Sequence, residues 1–204
     1  NGTCPFPQKR PRDWDKKFKW DAIRFSNKVY AVFDACERHK GDWIVWMDAD
    51  TVVHSPWSYD DFKVFLKDEC WITYVGRGKG SQTWPECGFY GIDTSSDKAL
   101  EFVDRFKWMY NNANIGIFKL DEWHDSYVFG YVLNHFKSKY PNVYDVTAEM
   151  YMKEARTGGG GHPIINCDLG KYIDHLKGDR KNRGASALRD LLVKRVEKYW
   201  RNIK

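Results

Sequence analysis

Two aspartates one residue apart, Asp48 and Asp50, follow directly on the apolar run Trp43-Ile44-Val45-Trp46-Met47. The run is too short for a helix and reads as a strand buried on both faces of a parallel sheet. Its carboxylates then emerge at the carboxyl end of a strand, where open α/β sheets place their ligands. Side chains two positions apart share one side of a straight strand, but the residue between and the turn that follows decide whether both carboxylates reach one hard divalent cation, so a bend near Asp50 is expected. Oxygen ligands of this kind suit Mg2+ or Mn2+, which typically bridge a protein carboxylate to substrate phosphates. The ordinary alternative for such a triplet is a loop whose aspartates cap neighbouring amides.

The elements that must position this triplet are marked by apolar spacing. Prolines at positions 5, 7 and 11 remove backbone donors, and residues 1–20 read as a loop. Phe25, Val29, Val32, Phe33 and Cys36 recur at helical spacing, with Asp21 placed to cap the start and Gly41 to end the run. Beyond the Trp43–Met47 strand, the pattern predicts a short helix at Asp60–Lys67, a strand at Trp71–Val75, a glycine-rich loop at Gly76–Gly80 and a strand at Gly88–Ile92. Thr94 and Asp97 form a capping-box pattern before a helix carrying Leu100, Val103, Phe106 and Tyr110. A further helix starts near Asp121, turns Val128, Val132 and Phe136 inward, and stops at Pro141. A strand at Val143–Val146, a flexible loop at Thr157–Gly161 and a final amphipathic helix with Leu188, Leu192, Val196, Tyr199 and Ile203 follow. Strands alternating with helices argue for an α/β layered sheet.

A chain of 204 residues suits one domain. Its 42% hydrophobic and 30% charged residues exclude a disordered acidic tail, a collagen and a coiled coil. Net charge is +5, spread along the chain, which favours a phosphate-bearing partner. The basic stretch Lys194–Lys204 carries an apolar stripe and an acid, as a solvated helix face does, so nucleic-acid binding is not expected. No run approaches the roughly 18 apolar residues of a membrane helix, and Asn1 is not followed by a signal-peptide pattern. Five scattered cysteines (Cys4, Cys36, Cys70, Cys87, Cys167) with no C-x-x-C pair point to a reducing, cytoplasmic setting.

The segment Trp46-Met47-Asp48-Ala49-Asp50-Thr51-Val52-Val53 resembles the hydrophobic D-x-D signature of GT-A-fold, nucleotide-sugar-dependent glycosyltransferases. Arg24-Phe25-Ser26-Asn27-Lys28, Glu86-Cys87-Gly88-Phe89-Tyr90-Gly91 and Asp121-Glu122-Trp123-His124-Asp125 are similar to the remaining blocks of that family in order and spacing, over Phe18 to Gly184. The resemblance implies a single GT-A-like (Rossmann-like) α/β domain over 1–204, with a mixed, mostly parallel sheet flanked by helices. Such a domain opens with a strand, a helix and another strand that bind the nucleotide base. Only 47 residues precede Asp48, so part of this N-terminal nucleotide-binding unit is expected to be missing, shortened or upstream of Asn1.

In that family the D-x-D residues hold the metal and the donor's ribose-diphosphate, which the resemblance places on Asp48 and Asp50. A late metal-binding histidine is matched by His175, with His162 as the backup ligand. Lys177 is then expected to meet the diphosphate, and Gly178 to let the backbone approach closely. Arg24 and Lys28, four apart on one helix face, are further donor-binding candidates, although a solvated surface explains them equally. Sugar transfer needs the acceptor hydroxyl deprotonated, and Asp125 corresponds to the acid that inverting members use as base. Plain capping is its ordinary alternative. Trp84 and Trp123 are candidates to stack on an acceptor sugar, and Glu86 to bind its hydroxyls. The implied activity is Mn2+- or Mg2+-dependent transfer of a sugar from a nucleoside-diphosphate sugar, preferably a UDP-sugar, to a carbohydrate hydroxyl of a glycan acceptor. One alternative is a haloacid-dehalogenase-type phosphatase with Asp48 as nucleophile, whose late acidic motif would need a second acid at the place of Arg183. The other is a non-catalytic carbohydrate-binding domain, which accounts for ten tryptophans but not for strand-end carboxylates.

Overall fold

The computed structural model describes residues 19, 21–78, 84–150, 162–178 and 180–203. The fold is mixed α/β, and the chain divides into two compact units, Asn1–Ile44 with Ile92–Asn142 and Val45–Gly91 with Val143–Lys204. The loop expected over residues 1–20, apart from Lys19, the second half of the Gly76–Gly80 loop and the Thr157–Gly161 loop lie outside the described residues.

In chain order the elements are α1 (Ala22–Arg38), β1 (Trp43–Met47), β2 (Thr51–Val53), α2 (Tyr59–Lys63), β3 (Ile72–Val75), β4 (Glu86–Asp93), α3 (Asp97–Asn111), α4 (Asp125–Lys139), β5 (Tyr144–Asp145), α5 (Pro163–Asn166), β6 (Ile173–His175), α6 (Arg180–Arg183) and α7 (Lys198–Arg201). Among the described residues no helix is long and apolar enough to cross a membrane.

The first unit is built on α1, α3 and α4. Val29, Val32, Phe33 and Cys36 of α1 are buried, and α3 buries Phe102, Val103, Phe106, Met109 and Tyr110, each set spaced by three and four. Phe33 meets Phe106 edge to face at 5.3 Å, and Phe102 meets Phe129 of α4 in the same way at 5.4 Å. Three starts differ from the sequence reading. Asp21 precedes α1 with φ 55° and makes no side-chain cap; its carboxylate pairs instead with Arg24 Nε at 2.6 Å. Thr94 does not form a capping box with Asp97: Ser96 holds the cap position of α3, and the Thr94 hydroxyl donates to the His39 carbonyl at 2.6 Å while accepting from Asp42 N–H at 3.1 Å. Leu100 is only half-buried. Helix α4 begins at Asp125 rather than near Asp121, because the ring Nδ1 of His124 accepts from Tyr127 N–H and so caps it.

The second unit carries most of the strand residues. A four-stranded sheet runs β1-β4-β3-β5, with β3 and β5 parallel and Thr73 opposite Tyr144. Strand β3 and residues Glu86–Ile92 of β4 are buried, whereas β1 is half-buried and ends in an exposed Met47, not enclosed on both faces as its composition suggested. Phe65, Val75, Phe89, Ile164, Cys167, Leu169 and Ile173 form the core. Helix α2 stops at Lys63, short of the expected Lys67, and is opened by a reciprocal Ser58–Asp61 capping box. Burial pushes the Cys167 thiol up to about 12, a buried apolar side chain rather than a reactive one.

The amphipathic helix expected over Leu188–Ile203 is absent. A 3₁₀ turn (Leu188–Asp190), irregular chain and the single turn of α7 replace it, and Leu188 and Val196 face solvent at 52% and 60% exposure. Tertiary hydrogen bonds decide the path. Asp174, fully buried on β6, accepts from Ser186 N–H (2.8 Å), Ser186 Oγ (2.6 Å) and the Tyr199 hydroxyl (2.8 Å). Arg195 donates to the carbonyl of Ile165 and Trp200 Nε1 to that of Gly170. A helix through these positions would forfeit those bonds, and helix propensity, at a few tenths of a kcal/mol per residue, is too small to compete.

Candidate metal site

The triplet Asp48-Ala49-Asp50 leads out of β1 through a turn into β2. Asp48 N–H donates to the Gly88 carbonyl at 3.0 Å, and Thr51 N–H donates back to the Asp48 carbonyl at 3.1 Å. Strands β2 and β6 pair antiparallel with Thr51 opposite His175, and Leu176 N–H donates to the Asp50 carbonyl at 2.8 Å. This short ladder delivers the imidazole to the aspartates. His175 Nε2 lies 3.0 Å from Asp50 Oδ1 and 3.4 Å from Asp48 Oδ2. The histidine is 1% exposed and each aspartate side chain about a quarter exposed, so the group is anchored inside and open outside.

Three neighbours shape it. Trp46 Nε1 donates to Asp48 Oδ1 at 2.7 Å, fixing that carboxylate from the strand below. Lys181 Nζ stands 2.8 Å from Asp50 Oδ2. At position 88, a Cβ would come within 2.6 Å of His175 Cε1 and 2.8 Å of Nδ1, so only glycine leaves room for the ring. Trp46 was legible in principle, being two residues before Asp48 on the same strand face. Lys181 was not, because nothing local to its sequence fixes a distance to Asp50.

A second group, Glu86, His162 and His175, also brings potential ligand atoms within 4.8 Å of one another, as the Asp48, Asp50 and His175 group does. The two groups differ in chemistry. His162 Nδ1 accepts from Ile164 N–H as the cap of α5, so the neutral ring carries its proton on Nε2 and offers a donor, not a lone pair. Glu86, 2% exposed, already receives Lys177 Nζ at 3.1 Å on both oxygens and Arg77 Nη2 at 3.2 Å. Burial alone would raise the Glu86 carboxyl, but the Lys177 and Arg77 cations hold it well below the usual carboxylate range. Burial holds His162 well below the usual imidazole value against the pull of Glu86, so the ring is neutral and the cations carry the compensation. A proton on the facing histidine and two cations make this group unsuited to a metal. Asp48, Asp50 and His175 are suited: two carboxylates and an imidazole form an oxygen-rich set that already attracts the Lys181 ammonium.

The other expected site residues fall in several places. Lys177 turns onto Glu86 with 53% of its side chain exposed, and Gly178 takes φ 66°, a conformation that favours glycine, with open space where a Cβ would be. Trp84 is half-buried and its carbonyl accepts from Arg77 Nε at 2.9 Å. In the first unit, Lys28 Nζ and Asp125 Oδ2 form an ion pair of 2.8 Å, Arg24 reaches Asp21, and Trp123 is 4% exposed with its ring against Phe118. Trp123 is therefore a core side chain, not an exposed stacking surface, and Glu86 is a buried ion-pair partner, not a free hydroxyl ligand. No protein-family model, no curated protein and no solved structure matches the chain.

Proposed function

We propose that the chain is a divalent-metal-dependent glycosyltransferase with a GT-A-like fold, transferring a sugar from a nucleoside-diphosphate sugar, preferably a UDP-sugar, to a carbohydrate hydroxyl. One observation carries the reading: His175, 125 positions after Asp50, converges with Asp48 and Asp50 so that the ligand atoms of the three lie within 4.8 Å of one another at the end of a strand. Asp48, Asp50 and His175 Nε2 would hold Mn2+ or Mg2+. Such an ion, when bound, neutralises a diphosphate and makes it a better leaving group.

The residues themselves supply the rest. Trp46 keeps Asp48 from swinging into solvent, and Gly88 keeps the His175 ring in place. Lys181 and Lys177, both more than half exposed, are the mobile cations within reach of an anionic donor. Asp125, whose Oδ2 lies 2.8 Å from Lys28 Nζ, is the base that the family likeness implies.

Thermal unfolding of the purified chain with nucleoside diphosphates and their sugars, with and without Mn2+, tests this reading, because a ligand of the native state raises the midpoint by mass action. The expected result is a nucleotide shift that depends on Mn2+ and disappears in Asp50→Ala. A chain indifferent to every nucleotide and to Mn2+ would overturn it.

A further inference from the structure

A cation cannot take Nε2 of His175 while the ring remains as it is. A carboxylate only accepts hydrogen bonds, so the 3.0 Å contact with Asp50 Oδ1 puts a proton on Nε2, and the neutral ring then presents a bare Nδ1. That Nδ1 is buried and, among the described residues, has no hydrogen-bond partner. A ligand at Nε2 requires the other tautomer, with the proton on Nδ1, and a buried N–H without an acceptor is costly.

Resting on the metal reading above, we propose that Glu86 is the positioning carboxylate of His175, accepting the hydrogen bond from Nδ1–H that forms when a divalent cation occupies Nε2. The proton moves from one ring nitrogen to the other, so none is gained or lost overall. Three observations converge on Glu86. The ring edge bearing Nδ1 lies over Gly88, and Glu86, two residues earlier on β4, shares that face of the strand. Glu86, His162 and His175 have ligand atoms within 4.8 Å of one another, and within that group only Glu86 can accept, since His162 presents Nε2–H. A carboxylate has about four lone-pair sites. Lys177 contacts both oxygens and Arg77 contacts Oε2 alone, so Oε1 has capacity left. Ligating histidines commonly hold their second N–H on such a carboxylate, and its loss weakens metal binding about 10–100-fold.

The experiment uses the full chain labelled with 15N-histidine. Long-range 1H–15N spectra with and without Mg2+ read the His175 tautomer, and titration reads the Mn2+ dissociation constant of the wild type, Glu86→Gln, Glu86→Leu and Asp50→Ala. The expected outcome is a switch of His175 from Nε2–H to Nδ1–H on saturation. Mn2+ binding should weaken about 10-fold in Glu86→Gln and more in Glu86→Leu. The wild-type tautomer needs no variant to fold, and circular dichroism identifies an unfolded one. His175 remaining Nε2–H at saturation, or unchanged affinity in folded Glu86 variants, would each overturn the role of Glu86 while leaving the metal reading intact. Wild-type protein that binds no cation, or Asp50→Ala that binds as well as wild type, would overturn both.

Discussion

Two histidine–glutamate pairs do the same local job and end differently. In the helical unit, His124 caps α4 through Nδ1 and sends Nε2 to Glu122 Oε2 at 2.9 Å. In the strand-bearing unit, His162 caps α5 through Nδ1, yet its Nε2 stays 3.6 Å from Glu86 Oε2 and has no hydrogen-bond partner among the described residues. The residue types, the capping role and the burial match. What differs is the company of the carboxylate: Glu86 is already held by Lys177 and Arg77, so its histidine is left with a spare donor. A closed pair of this kind is a structural staple, whereas a carboxylate contested by two cations and two imidazoles can rearrange when charge arrives.

The largest contrast should come from deleting the carboxylates. Glu86→Leu strands the Arg77 guanidinium in a largely buried place and is expected to cost about 3 kcal/mol in urea unfolding. Glu122→Leu loses one hydrogen bond and should cost about 1 kcal/mol. Equal costs would erase the distinction between the pairs.

Acid should separate them next. His162 has its folded value held below the unfolded one, so the unfolded chain binds the extra proton first. Stability is complete above about pH 6.5 and falls as pH drops below it, with a slope approaching about 1.4 kcal/mol per pH unit. Glu86, also depressed, adds a second loss only below about pH 4.5, where the unfolded carboxylate protonates. His162→Asn, which retains a capping side chain, should remove most of the loss between pH 6.5 and 5 from the urea midpoint, the remainder belonging to His54, which burial also holds below the usual imidazole value. Persistence of that loss would show another group to be responsible.

The smallest difference lies in the caps themselves. His124→Asn and His162→Asn each exchange one cap for another, but only the former discards a hydrogen bond at Nε2. At pH 8 the first should be about 1 kcal/mol more destabilising than the second.

Much of this framework could be read from the chain. Apolar spacing marked α1, α3 and α4, and the runs at Trp43, Ile72 and Gly88 marked β1, β3 and β4, because each depends on a local period matched to burial. Strands β2 and β6 were illegible: each is three residues long and exists through its partner. Position 124 was overlooked as a cap because aspartates nearby are the commoner choice. The Leu188, Leu192 and Val196 stripe misled because period reports a face, not whether anything covers it. At the site, the aspartates were conspicuous from the strand before them and His175 from the family likeness. The ion pairs of Glu86 were hidden, since Arg77, Glu86 and Lys177 come together only through the fold.

The clamp on Asp174 bears on how the protein is made. The aspartates at 48 and 50 leave the ribosome before their imidazole partner, which is 125 positions behind Asp50, and its strand is secured by Ser186 and Tyr199, later still. Closing so long a loop is entropically uphill until those final bonds form. A nascent chain halted before Tyr199 therefore holds the two acids without a stable third ligand.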